Sequence, residues 1–143
     1  MARGGQLSNH QKSFIMSVKF KVIEGGHPGV PGGGEKKFYA SANSNGEMTL
    51  TGLTKSIEKI STVSGADIRA VLYAMVDVMK DALADGQIVR LGELGSLRVS
   101  ISSEGKATAE EVNASAIRGA KVVFTPGKDI KTMLNNLTYT KES

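Results

Sequence analysis

Along the chain, apolar positions first alternate with polar ones, then recur every three or four residues, then alternate again. Val18, Phe20 and Val22 are separated by Lys19 and Lys21, the period of a half-buried strand. Gly25 to Gly34 holds six glycines and two prolines and reads as a mobile loop. Phe38 to Ala42 supplies a returning strand, and the turn chemistry of Asn43 to Gly46 places the boundary of the core there. Leu50, Leu53, Ile57 and Ile60 then give one apolar face of a short helix with Thr49 or Thr51 as N-cap. Ser64 caps a second helix, with Asp67 favourably placed in its first turn and Gly86 suited to its C-terminal end. That helix carries Ile68, Val71, Leu72, Met75, Val76, Met79, Ala82 and Leu83, an apolar stripe wider than one small neighbouring helix needs.

The second alternating block predicts a sheet. Ile88, Val89 and Leu91 lead into the turn Gly92-Glu93-Leu94-Gly95, after which Leu97, Val99 and Ile101 alternate with Arg98, Ser100 and Ser102. Residues 102–116 are polar and alanine-rich, the composition of a protruding hairpin, and Ala120, Val122 and Phe124 mark the strand that returns from it. Thr125 as N-cap with Pro126 at the first helical position predicts a terminal helix, whose apolar face is Ile130, Met133, Leu134 and Leu137. The fold class is therefore α+β. Two helices and a three-stranded sheet make only a thin half-core, so the broad stripe between Ala66 and Ala84 is expected to be covered by a second copy.

Composition narrows the function. The 143 residues include no cysteine and only two histidines, His10 and His27, which leaves little from which to build a metal site or a nucleophilic triad. No apolar run approaches the length of a membrane span, and Met1 to Ile15 lacks the apolar centre of a secretory signal. Residues 1–15 are instead expected to be a disordered or non-native leader. Net charge is +4, but it is unevenly spread: residues 49–143 hold twelve basic and eleven acidic side chains. Bulk charge thus does not by itself argue for nucleic acid. Lys19, Lys21, Lys36 and Lys37 are readable either as an auxiliary phosphate-binding patch or as residues that keep an edge strand soluble.

Enzyme-like patterns fail on their chemistry. In Gly29 to Lys36 a glutamate, Glu35, stands where a phosphate loop needs lysine after its last glycine, and no Ser or Thr follows. Gly92 to Gly95 lies between strands, not at the strand-to-helix turn of a dinucleotide site. The expectation is a non-catalytic protein with no cofactor, no metal, no small-molecule substrate and no membrane partner.

Three stretches resemble the HU/integration-host-factor family of bacterial DNA-binding proteins. Residues 50–86 resemble its opening helix pair in length and phase. Residues 87–101, QIVRLGELGSLRVSI, resemble its strand-turn-strand V-x-L-x-G-F-G-x-F, with Leu94 and Leu97 where aromatics are usual. Residues 122–134, VVFTPGKDIKTML, resemble its closing P-x-F-x-x-G-K-x-L through Phe124, Gly127 and Lys128. The glycine-rich start resembles a divergent branch in which an HU-like domain carries such an extension. The resemblance implies an HU-like fold over residues 48–143 after a glycine-rich β extension over 16–47, a homodimer raising two β-arms, and double-stranded DNA as partner in the cytoplasmic nucleoid. Arg98, Lys121, Lys128 and Lys131, with Lys106 and Arg118 on the arm, would then be the phosphate contacts. The arm departs from the family. Residues 102–119, SSEGKATAEEVNASAIRG, lack the Arg-Asn-Pro-x-Thr-Gly whose proline wedges between base pairs, so sharp kinking is not expected. The alternative reading is an HU-derived structural or protein-interaction dimer with weak or lost DNA binding.

Overall fold

The computed structural model describes residues 16–26, 29 and 31–142; the expected leader lies outside them, as does His27. The chain forms two units, one of them Met48–Asn135 and the other built from the segments on either side of it in sequence.

The flanking unit is a three-stranded sheet. β1 (Val18–Gly25) pairs antiparallel with β2 (Lys37–Asn43), matching Lys21 with Ser41 and Ile23 with Tyr39. Their connection folds back on itself because it is glycine: a Cβ on Gly26 would sit 2.6 Å from the Gly33 carbonyl oxygen. The third strand, β6 (Tyr139–Lys141), lies parallel to β1 on its other side. This corrects the expectation that residues 136–143 continue the helical domain. The terminal helix stops at Asn135, and Leu137 takes no part in it. The chain after it is drawn into the flanking sheet instead, with Val18 N–H donating to the Thr138 carbonyl at 2.8 Å and the Thr138 hydroxyl donating to the Met16 carbonyl at 2.8 Å. A two-stranded ribbon is marginal in water, and a third strand with its extra hydrogen bonds relieves that.

The other unit is Met48–Asn135. α1 (Leu50–Ile60) starts at Thr49, whose hydroxyl accepts from Gly52 N–H at 3.1 Å; α2 (Gly65–Ala84) starts at Ser64, whose hydroxyl accepts from Asp67 N–H at 3.3 Å. The most deeply buried side chain of α1 is not one of its aliphatic residues but Thr54, 2% exposed, whose hydroxyl donates to the Leu50 carbonyl at 2.8 Å. That internal bond is what lets a polar side chain sit inside. β3 (Val89–Arg90), β4 (Gly95–Ser103) and β5 (Ile117–Pro126) form an antiparallel sheet in that order, and α2 lies against β3 and β4. α3 (Lys128–Asn135) closes the unit. Its start also differs from expectation. Thr125 and Pro126 do not cap the helix; they end β5, opposite Ser96 and Gly95.

Between β4 and β5 the arm is only partly a ribbon. After a register shift beside Ser102, residues 104–116 wind through two single 3-10 turns (Ala109–Glu111 and Ala114–Ala116) and are pinned where Glu104 N–H donates to the Ala116 carbonyl at 2.8 Å.

Among the described residues only Thr54, Ile68, Gly95 and Ala116 are buried. Helical geometry puts Ile68, Leu72, Met79 and Leu83 on the side of α2 that meets its own chain. The flanks are apolar too and stand in water: Val71 is 64% exposed, Val76 58% and Val78 68%.

Candidate nucleic-acid interface

Strand parity sorts the sheet into two faces. Val89 pairs with Leu97, Leu97 with Phe124 and Val99 with Val122, so these side chains share the apolar face; Val89 and Leu97 are half-buried where α2 covers it. The opposite face holds Arg90, Ser96, Arg98, Ser100 and Ser102, and across from them on β5 Thr125, Val123, Lys121 and Gly119. Arg90 pairs with Ser96, Arg98 follows two residues on, and Lys121 is diagonal to Arg98 through the Arg98–Val123 and Ser100–Lys121 pairs. Diagonal neighbours in a sheet are about 7–8 Å apart, within reach of long side chains. Three exposed cations from three strands therefore lie side by side, with no carboxylate among the strand positions of that face.

Arg98 and Lys121 are thus brought together as their alternation suggested. Arg90 was not singled out from the sequence. The signal was there, since Val89-Arg90 has the same in–out order as Leu97-Arg98, but a strand of two residues is too short to show a period.

Lys128 and Lys131 form a second pair, one turn apart and exposed on α3. The turn after β3 fixes where α3 begins. Gly127 N–H donates to the Leu94 carbonyl at 2.9 Å, and Asp129 N–H to the Glu93 carbonyl at 3.2 Å. Lys131 N–H donates to the Gly127 carbonyl at 2.9 Å, closing the first helical turn. Gly127 permits this close approach, since a Cβ there would lie 2.5 Å from the Glu93 carbonyl oxygen; at Gly95, where φ is +144°, a Cβ would collide with the Thr125 carbonyl oxygen and lie 2.8 Å from the Phe124 ring.

Lys106 and Arg118 are placed differently. Lys106 is ion-paired with Glu104 at 3.2 Å, and the Arg118 guanidinium donates to the Ser103 carbonyl at 3.4 Å. Both therefore serve contacts within the arm, whose tip also carries Glu110 and Glu111. Among the described residues, Arg90, Arg98, Lys121, Lys128 and Lys131 are in no ion pair. No group of three His, Cys, Asp or Glu among the described residues could hold a metal ion, and no described helix is long and apolar enough to cross a membrane.

Two helices, a three-stranded antiparallel sheet with a projecting arm and a closing helix constitute an HU-like α+β fold, here with an additional sheet built from segments before and after it in sequence. The chain belongs to the HU-HIG family, described as an HU domain fused to wHTH, Ig, or glycine-rich motif, whose model matches residues 16–141. Among solved structures, one named "Putative bacterial DNA binding protein" from Bacteroides vulgatus ATCC 8482 is similar at 15% identity and a TM-score of 0.59, over 89% of this chain and 50% of that one. The present chain thus spans half the length of that protein. Anabaena HU, in a cocrystal structure with DNA, is similar at 19% identity and a TM-score of 0.48, over 62% of this chain and 99% of that one. No curated protein sequence matches the chain.

Proposed function

We propose that the protein is a non-catalytic, sequence-tolerant binder of double-stranded DNA that acts as a homodimer and contributes to the architecture of the nucleoid. The observation that carries this reading is the basic face of the sheet, where Arg90, Arg98 and Lys121 converge without a compensating carboxylate. Lys128 and Lys131 extend the same chemistry. Such cations neutralise backbone phosphates and release counterions, which gives affinity without reading bases. Lys106 and Arg118 contribute less, because each would first leave its partner in the arm. Without a proline wedge, binding follows the shape and backbone of the duplex instead of kinking it.

The dimer rests on the flanks of α2. Val71 and Val78 on one side and Tyr73 and Val76 on the other are exposed, as are Leu53 and Ile60 of α1. A second copy covers such a surface with its own identical face.

A short fluorescent duplex titrated at low and moderate salt tests the reading. The expected result is binding that weakens by orders of magnitude as salt rises, is abolished when Arg90, Arg98 and Lys121 are replaced together by alanine, and is weakened by Lys128→Ala combined with Lys131→Ala. Absence of binding at low salt by an intact dimer would favour the second reading, a structural or protein-interaction dimer. The specific observation on that side is the arm, whose cations are internally engaged and whose tip is acidic.

A further inference from the structure

The flanking sheet sorts its residues as cleanly as the HU-like sheet does. Phe20 pairs with Ala42, Val22 with Ala40 and Val18 with Tyr139, which puts these on one face. The other face receives Lys19, Lys21, Ile23 and Gly25 from β1, Lys37, Tyr39, Ser41 and Asn43 from β2, and Thr140 from β6. The four lysines near the start of the chain are thereby divided. Lys36 lies outside the strands, 4.0 Å from Glu24. Lys19, Lys21 and Lys37 share the second face, and among the described residues Lys21 and Lys37 have no ionic partner. Lys19 donates to the Asn45 side-chain oxygen at 3.4 Å. Glu142, just after β6, accepts a hydrogen bond from the Asn43 amide.

Between Lys21 and Lys37 sits an aromatic ring. Tyr39 is 44% exposed, and its ring lies over Gly25, where a Cβ would come within 3.4 Å of it. Ile23, paired with Tyr39, adds an apolar neighbour.

We infer that this face is a binding site for single-stranded nucleic acid, separate from the duplex surface proposed above. Lysines track the phosphates of a flexible strand, while an exposed ring between them offers a surface on which an unpaired base stacks. A duplex keeps its bases stacked on one another and has no use for the ring. The chemistry of the face is sequence-tolerant, since every base has a π-face and the remaining groups, Ser41, Asn43 and Thr140, are generic hydrogen-bonding side chains.

The full chain is titrated with fluorescent oligothymidylate of about ten nucleotides, and separately with a duplex of equal length, while anisotropy is followed. Tyr39→Ala should weaken binding of the single strand by about tenfold to a hundredfold, Tyr39→Phe should restore it, and duplex binding should be unchanged by either. Lys21→Ala with Lys37→Ala, which disturbs no packing, should reduce the slope of log affinity against log salt for the single strand by about 1.4. Equal single-strand affinity of Tyr39→Ala and the parent, or an unchanged slope in the lysine double variant, overturns the inference. So does a loss in Tyr39→Ala that is equal for single strand and duplex.

Discussion

The turn that joins β4 to its neighbours leaves no room for a side chain at Gly95, and Gly95→Ala measures how much the unit depends on that. Gly95 begins β4 with φ of +144°, a conformation in which a side chain is strained; such strain costs about 1–3 kcal/mol. The added Cβ also meets the Thr125 carbonyl oxygen and approaches the Phe124 ring to 2.8 Å. The carbonyl belongs to the paired backbone of β5 and cannot step aside cheaply, and overpacking of this kind costs about 1–3 kcal/mol more. The expected loss is about 2–6 kcal/mol, a large share of the roughly 5–15 kcal/mol by which folded domains are stable. Gly92→Ala is the internal comparison. Gly92 has φ of +59° in the same turn, but nothing lies within 4 Å of a Cβ placed there. It meets only the left-handed backbone penalty of about 1–2 kcal/mol, offset in part by about 0.4–1 kcal/mol from a stiffer unfolded chain.

Urea unfolding followed by far-ultraviolet circular dichroism reads the difference, at one protein concentration because the proposed association would be coupled to folding. With a slope of about 1–3 kcal/mol per molar urea, Gly95→Ala should lower the midpoint by about 1–3 M and Gly92→Ala by less than about 1 M. A Gly95→Ala midpoint within about 0.3 M of the parent would mean that the crowding at this turn is readily relieved, and the reasoning would fail. So would a Gly92→Ala loss of equal size.

Three further outcomes are expected. Arg90→Ala should weaken duplex binding and reduce the magnitude of its salt slope by about 0.9; an unchanged slope in fluorescence titrations would remove Arg90 from the interface. Val71→Asp with Val78→Asp should yield monomers in sedimentation at micromolar protein. These residues are 64% and 68% exposed, and covering both in two copies is worth about 4–8 kcal/mol at about 1.5–3 kcal/mol per fully buried valine. A persistent dimer would place the contact elsewhere. Deleting residues 136–143 removes β6 and leaves β1 and β2 as a two-stranded ribbon, so amide exchange in both should accelerate while α1 and α2 keep their protection. Unchanged protection of β1 would show that β6 contributes nothing to the sheet.

The amino-acid sequence determined, through local chemistry, most of what repeats or begins and ends. Thr49 and Ser64 accept helical N–H groups as their position before apolar-periodic runs implied, and Leu97, Val99 and Ile101 share a face because a strand alternates. Lys128 and Lys131 were legible as a pair for the same reason, being three residues apart on a helix. The tertiary structure alone decided what non-local pairing controls. Thr125-Pro126 carries a helix-start signal, yet pairing with Ser96 and Gly95 claims it for β5. Leu137 fits the apolar period of α3, yet hydrogen bonds to Met16 and Val18 take the following residues into another sheet. Arg90 joins Arg98 and Lys121 only through its cross-strand register, and Arg118 is engaged within the arm only because the hairpin returns on itself. In each case residues far apart in sequence supply hydrogen bonds or charges that a local pattern cannot register.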